Sequence, residues 1–345
     1  MKIVVDDKIP YIQPYLHELA DEVVAKRGSE ITAEDVRDAY ILIVRTRTRV
    51  DRQLLERSSV RLVVTATIGY DHLDTDYLRA AGIEWTNCPG CNATSVAQYV
   101  KNSLLLLERE RGLKISEATI GIVGVGHVGT EVMAAALRMG FKRVMLNDPP
   151  REAARHKLPE GLCWSSLCEL QKECNVITFQ TPLTREQPHA TYHLADAHFF
   201  SFLPKHPVII NAARGGVVDE AELLTAMDTG LVSEAVIDTW EGEPSINRQL
   251  LERAFIATPH IAGYSANGKA NATRMALQAV ALFLNITRIY HIEPPALPED
   301  IALSDDSAER ALQLYNPLAD TARLRESPTD FERLRSDYPL RLERA

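Results

Sequence analysis

Arg214, Glu243 and His260 each follow a short β-branched run, and as a set they could hold a carboxylate and move a proton. Arg214, in Asn211-Ala-Ala-Arg-Gly-Gly216, is a bidentate donor suited to a carboxylate, and the two glycines after it allow close backbone approach. The bland alternative for Arg214 alone, a surface salt bridge or a helix-entry residue, is the weaker reading. His260 can gain or lose a proton near neutral pH, and Glu243 could orient it and favour its charged form. In isolation that pair reads as a packed histidine and a surface glutamate. Asp219, with Glu222 three residues on, has the spacing of a helix N-cap and is assigned to structure.

A second group sits in Thr119-Ile-Gly-Ile-Val-Gly124-Val-Gly126-His127-Val128-Gly129. This is G-x-G-x-x-G directly after a strand run and before an apparent helix, Thr130 to Met139. The first glycine permits a tight turn, the second lets N–H groups approach a pyrophosphate, and the third packs helix on strand. The next strand ends at Asp148, 19 residues beyond Gly129, where an acid can accept from the ribose hydroxyls. The pattern alone could be an unliganded turn; with strand, helix and acid in register it predicts a dinucleotide site. Asp148 repels a 2′-phosphate and so favours NAD over NADP, a preference that Arg151 could blunt.

The elements that must place these residues are short apolar strands alternating with helical stretches, the sign of βαβ units and a parallel sheet. Lys2 to Val5 is followed by a helical pattern over about Tyr11 to Lys26, then come Ile41 to Val44 and Leu62 to Thr65. Ala93 to Glu110 reads as a long helix. Six strands follow: 119–123, 143–147, 175–179, 208–211, 234–238 and 255–258, with a further helix over Ala270 to Leu284. Ligands of open parallel sheets bind outside the carboxyl ends of the strands. Gly124, Asp148, Thr181, Arg214, the stretch Asp238 to Glu243, and His260 fall at six successive strand ends, which argues for one crevice. From about Ile286 the chain turns proline-rich and charged, as a separate module or a packing arm would.

A chain of 345 residues suggests about two domains, possibly with a small third. Its 47 acids against 38 Lys and Arg leave a net charge of −9, a field that repels nucleic acid and anionic membrane. Any anionic ligand therefore needs a local basic pocket. Arg45-Thr-Arg-Thr-Arg49 follows the strand Ile41 to Val44; if extended, it turns Arg45, Arg47 and Arg49 the same way as an anion site. The alternative is a solvated basic loop. The N-terminus lacks the long apolar core of a signal peptide, and five cysteines suit a reducing cytoplasm. Cys88-Pro-Gly-Cys91 has redox or half-zinc spacing, but the other three cysteines form no second pair, so no metal is expected.

The stretches Asn211 to Asp219, Asp238-Thr-Trp-Glu-Gly-Glu-Pro244 and Thr258-Pro-His-Ile-Ala-Gly263 resemble the Arg, Glu and His signatures of the D-isomer-specific 2-hydroxyacid dehydrogenases. The resemblance narrows to a branch through Val5 to Tyr11, Thr65 to His72, Pro89 to Ala93, Asp148-Pro-Pro-Arg151, Trp240 to Pro244 and His260 to Tyr264. That branch oxidises 4-phospho-D-erythronate with NAD in vitamin B6 synthesis. The resemblance implies an α/β fold of two doubly wound parallel-sheet domains, one flavodoxin-like for substrate and one Rossmann domain for NAD, plus a small C-terminal module. The expected divisions are 1–95 with 258–285 for substrate, 96–257 for NAD, and 286–345 for a shortened, dimerisation-like module. It also implies cofactor contacts at Asp148, Thr181, Asp238 and Gly263, and substrate contacts at Thr46, Thr67 and Tyr264. The expected partners are a small phosphorylated 2-hydroxy acid and a second copy of the chain in a homodimer. Rival readings are a dehydrogenase of another D-2-hydroxy acid, such as glycerate or 3-phosphoglycerate, and a dinucleotide-sensing corepressor-like interaction protein.

Overall fold

The computed structural model describes residues 1–296 and 303–343, which fall into two compact units. The first is Met1–Asn92 with Ser265–Ala296; the second is Ala93–Tyr264 with the described part of Leu297–Ala345.

The first unit is built on β1 (Lys2–Asp6), β2 (Glu22–Lys26), β3 (Ile41–Val44), β4 (Leu62–Thr65) and β5 (Glu84–Thr86). All pairings are parallel, in the order β2-β1-β3-β4-β5, so the winding reverses between β1 and β3 as in flavodoxin-like sheets. Every residue of β3 and β4 is buried, which is why both read as unbroken apolar runs. Helix Ala266–Phe283 closes one face, its Ala272, Ala276, Leu277 and Val280 packing into one cluster with Ile3, Ile41 and Leu62.

The helix expected over Tyr11 to Lys26 is wrong. Only Gln13–Leu16 is helical, and Glu22–Lys26 is β2, paired with β1 from Lys2↔Glu22 to Asp6↔Lys26. β2 is an edge strand, half-exposed, so its polar residues mask the β-branched Val23-Val24 pair that pairing with β1 selects. The three-residue edge strand β5 escapes the periodicity for the same reason.

The second unit holds β6 (Thr119–Val123), β7 (Arg143–Asn147), β8 (Val176–Phe179), β9 (Val208–Asn211), β10 (Glu234–Ile237) and β11 (Ile256–Ala257), ordered β11-β10-β9-β8-β6-β7. This is a parallel Rossmann-type sheet whose order reverses between β6 and β8, so the loops after those strands flank the switch point. Helix Ala93–Arg111 covers one face, with Tyr99, Val100, Leu104 and Leu107 in the same core cluster as Ile120 and Val236.

The C-terminal module is helical, and its residues share the cores of the units already described. Residues 286–296 belong to the first unit, while helices Ser307–Leu314, Pro317–Glu326 and Phe331–Ser336 belong to the second. Leu312 and Tyr315 join one core of that unit, Leu324 and Phe331 the other. Thr321 Oγ1 accepts the Ala257 N–H at 3.0 Å, satisfying a donor on the edge strand β11. The tail reads as charged because only isolated apolar residues are needed to dock on an existing sheet edge. Residues 297–302 and 344–345 of the expected module lie outside the described residues. Among the described residues no helix is long and apolar enough to cross a membrane.

Candidate active site

Neighbouring strands β9, β10 and β11 bring three carboxyl-end loops side by side. In the β9 loop the Asn211 amide donates to Arg214 O at 2.9 Å, and its carbonyl oxygen accepts the Ala213 N–H at 3.2 Å. That fixes the extended backbone of Arg214, which is half-buried. The next residue touches the β10 loop: a Cβ on Gly215 would lie 2.0 Å from Trp240 O.

The β10 loop places Glu243 against His260 of the β11 loop. His260 Nδ1 lies 2.8 Å from Glu243 Oε2 and 3.0 Å from Oε1, and Oε1 also accepts the Trp240 N–H at 2.9 Å. The side chains are 18% and 25% exposed, so the pair is shielded yet reachable. Burial pushes the Glu243 carboxyl up, but the His260 bond and charge, the Trp240 N–H and Arg335 together hold it below its ordinary range. His260 itself has φ +56°, a left-handed conformation unusual for a non-glycine residue. It is held there by its own N–H, which donates to Asp238 O at 2.8 Å and Thr258 O at 3.0 Å.

Asp238 lies beneath this loop at 1% exposure. Its Oδ1 accepts from Thr258 Oγ1 (2.6 Å) and the Ile261 N–H (2.8 Å), and its Oδ2 from the Ala262 N–H (2.9 Å). Burial pushes its carboxyl up against the opposing pull of His260 and these donors. The carboxylate thus shapes the turn that leads into Gly263 and Tyr264. Arg341 holds the far side of the turn, donating to Ile261 O at 2.9 Å and Tyr264 O at 2.8 Å.

Three residues that carry no sequence assignment, His193, Glu220 and Arg335, surround the Arg214 and Glu243 loops. His193 lies 2.6 Å from Glu241 Oε1 and 3.2 Å from Asp219 Oδ2, while Glu220 Oε1 accepts the Glu241 N–H at 2.7 Å. Burial pushes the Glu220 carboxyl up to about 7, with Glu241, Glu243 and Asp219 adding repulsion. Arg335, from the last described helix, is the third. Asp219 is the expected cap, accepting from the Ala221 and Glu222 N–H groups, but no local pattern marks Glu220 as buried.

At the switch point the glycine turn follows β6, and helix His127–Met139 begins at Gly126 with no side-chain cap on its first turn. A Cβ on Gly129 would fall 1.9 Å from Gly124 O, so only glycine lets helix and turn approach this closely. A Cβ on Gly126 would meet nothing within 4 Å, so its surroundings are open. Asp148 closes β7, its Oδ2 accepting the Val125 N–H at 2.8 Å and its Oδ1 the Arg151 N–H at 3.1 Å. Thr181 Oγ1, beside Gly124, is buried without a hydrogen-bond partner. Open N–H groups at a helix start, an acid fixed beside the turn and an orphan hydroxyl fit a dinucleotide.

In the first unit, the stretch after β3 is a turn, not a strand, so the alternation that would align Arg45, Arg47 and Arg49 is absent. Arg45 instead donates through Nε (3.1 Å) and Nη2 (3.3 Å) to fully buried Asp6, and Arg49 lies 3.6 Å from Asp51. Thr46 is exposed; Thr67 is half-buried, its hydroxyl donating to Gly69 O at 2.8 Å and lying 2.8 Å from Thr65 Oγ1. Burial pushes the Cys91 thiol up to about 11 and raises Cys88 further, so neither is a ready nucleophile.

Residues 92–262 match the family model described as the D-isomer specific 2-hydroxyacid dehydrogenase NAD binding domain. The chain is 51% identical over 344 residues to an erythronate-4-phosphate dehydrogenase of Bacteroides thetaiotaomicron, covering 99% of this chain and 97% of that one. It is 42% identical to the protein of that name from Porphyromonas gingivalis, covering 98% and 92%. Among solved structures, a D-lactate dehydrogenase from Aquifex aeolicus in complex with NAD and lactic acid superposes with a TM-score of 0.69 at 24% identity, covering 83% of this chain and 96% of that one. The chain belongs to the erythronate-4-phosphate dehydrogenase family, NAD-dependent enzymes among the D-isomer specific 2-hydroxyacid dehydrogenases.

Proposed function

We propose that the chain oxidises 4-phospho-D-erythronate at C2 to (R)-3-hydroxy-2-oxo-4-phosphooxybutanoate, a step of pyridoxal phosphate synthesis. The observation that carries this reading is the Glu243–His260 pair, bonded at 2.8 Å and 3.0 Å on a loop held in a left-handed turn. His260 takes the C2 hydroxyl proton as general base, and Glu243 orients the ring through Nδ1 and stabilises the imidazolium that forms. Arg214 binds the substrate carboxylate and polarises the C2 oxygen. NAD, when bound, accepts the hydride that leaves C2.

Gly124, Gly126, His127, Val128 and Gly129 hold the pyrophosphate of NAD. Asp148 would take the adenosine ribose, and Thr181, Asp238 and Gly263 are the further cofactor contacts that the family resemblance implies. Thr46, Thr67 and Tyr264 are assigned to substrate, with Arg45 at the phosphate; Asp6 takes two of its five N–H donors and leaves the others for an anion. Met1–Asn92 with Ser265–Ala296 is accordingly the substrate domain and Ala93–Tyr264 the NAD domain. Free cysteines throughout suit a cytoplasmic setting, and the homodimer implied by the family is read directly by light scattering.

The test is absorbance at the NADH band with 4-phospho-D-erythronate, D-glycerate and 3-phosphoglycerate side by side, run in both directions. The reading expects the highest kcat/KM for 4-phospho-D-erythronate; a higher value for either competitor overturns the substrate assignment. Absent turnover with all three, alongside NADH-dependent capture of a protein partner, would favour a corepressor-like role.

A further inference from the structure

The helix Phe331–Ser336 reaches the Glu243–His260 pair with one cation. Arg335 Nη1 lies 3.3 Å from Glu243 Oε2, the same oxygen that makes the 2.8 Å contact with His260 Nδ1. The Arg335 side chain is only 15% exposed, and the charges it faces hold its guanidinium protonated. An arginine buried this far on a catalytic carboxylate is not a surface ion pair, because its desolvation must be offset by the charge it faces.

We propose that Arg335 is a positioning residue for the reaction, fixing the Glu243 carboxylate so that it aims the His260 imidazole at the substrate hydroxyl. Glu243 receives three donors on two oxygens: Trp240 N–H and His260 on Oε1, His260 and Arg335 on Oε2. Without Arg335, Oε2 keeps the histidine alone and the carboxylate can rotate about its terminal torsion, which is soft. The ring would then lose the two-point hold on Nδ1 that sets where Nε2 points. Burial works against ionised Glu243, and Arg335 is one of the groups opposing it.

Charged and titratable groups from several elements face the pair. Arg335 faces Glu243, Tyr264 and Glu332. Asp238 feels His260 from below, and Glu220 feels Glu243 from the neighbouring helix. Arg335 is a cation that holds the Glu243 carboxyl down from outside the His260 contact. Removing it therefore favours the proton-bound form of Glu243, whose carboxyl then titrates at higher pH.

This inference rests on the proposed role of His260, so its test carries one readout that needs no turnover. In Arg335→Gln, kcat for 4-phospho-D-erythronate falls about tenfold, a fraction of what general-base catalysis supplies. KM for NAD stays within twofold, and the acid limb of kcat/KM against pH moves upward. Arg335→Lys, which restores the charge, recovers most of both. Independently, carbon-13 NMR of labelled glutamate, with Glu243→Gln used to assign the signal, shows the Glu243 carboxyl titration moving to higher pH in Arg335→Gln. An unmoved Glu243 titration and acid limb overturn the proposal, even if Arg335→Gln is slower or melts earlier. So does a loss confined to KM for the phosphorylated substrate, which would make Arg335 a substrate contact. If the titration moves but neither protein turns over 2-hydroxy acids, the positioning stands and the reaction assignment falls.

Discussion

Gly215 packs against Trp240 so closely that a Cβ built on it would lie 2.0 Å from the Trp240 carbonyl oxygen and 2.6 Å from the Glu241 nitrogen. The loop that carries Arg214 and the loop that carries Glu243 therefore meet backbone to backbone. Any side chain at 215 must push one of them away.

Gly215→Ala is expected to separate those loops. Backbone cannot yield as a flexible side chain does, so overpacking of this kind destabilises by roughly 1–3 kcal/mol. It also moves Arg214 relative to Glu243, and misplacement on that scale lowers kcat by about a hundredfold. Steady-state kinetics and a thermal melt check both parts; wild-type kcat in Gly215→Ala would show that the contact does not set the site.

Glu220 gives stability a pH dependence of definite sign. Its folded carboxyl is raised from 4.5 to about 7, so the folded state holds the proton more tightly than the unfolded chain. The contribution is full below about pH 4.5 and is lost as pH rises through about 7. Glu220→Gln keeps an oxygen for the Glu241 N–H and removes the charge. It should match wild type near pH 4.5 and be more stable at pH 8, by on the order of 1–2 kcal/mol after solvent screening. Urea melts at both values check this, and an equal effect at the two would contradict it.

Arg45 has two separable roles. Arg45→Ala should raise KM for 4-phospho-D-erythronate far more than for unphosphorylated D-glycerate. It also strips fully buried Asp6 of its ion-pair partner, which costs about 3–5 kcal/mol in comparable buried pairs. Adding Asp6→Asn removes the stranded charge, so the double variant recovers stability while KM stays high. Equal KM changes for the two substrates would remove Arg45 from the phosphate site.

The second unit was legible because its strands are buried on both faces and end in residues with narrow chemical uses. Gly124, Asp148, Arg214 and His260 all close such runs, and the structure keeps each at a strand end. The first unit was less so at its edges: β2 looks helical because half-exposed edge strands mix Glu and Lys with valine. The arginine run failed as an alternating face because the chain turns immediately after Val44, which apolar periodicity does not register. Glu220, His193 and Arg335 carry no sequence signal at all. Their environments arise from contacts 21, 48 and 92 residues away along the chain, with Glu241 for the first two and Glu243 for the third.

The most direct measurement is kcat of His260→Ala on 4-phospho-D-erythronate, taken together with the dissociation constant for NAD. A general base at this position predicts a fall in kcat of about 10²–10⁴-fold with NAD affinity within twofold of wild type. Turnover like wild type, or a loss explained wholly by weaker NAD binding, would contradict the role given to the Glu243–His260 pair.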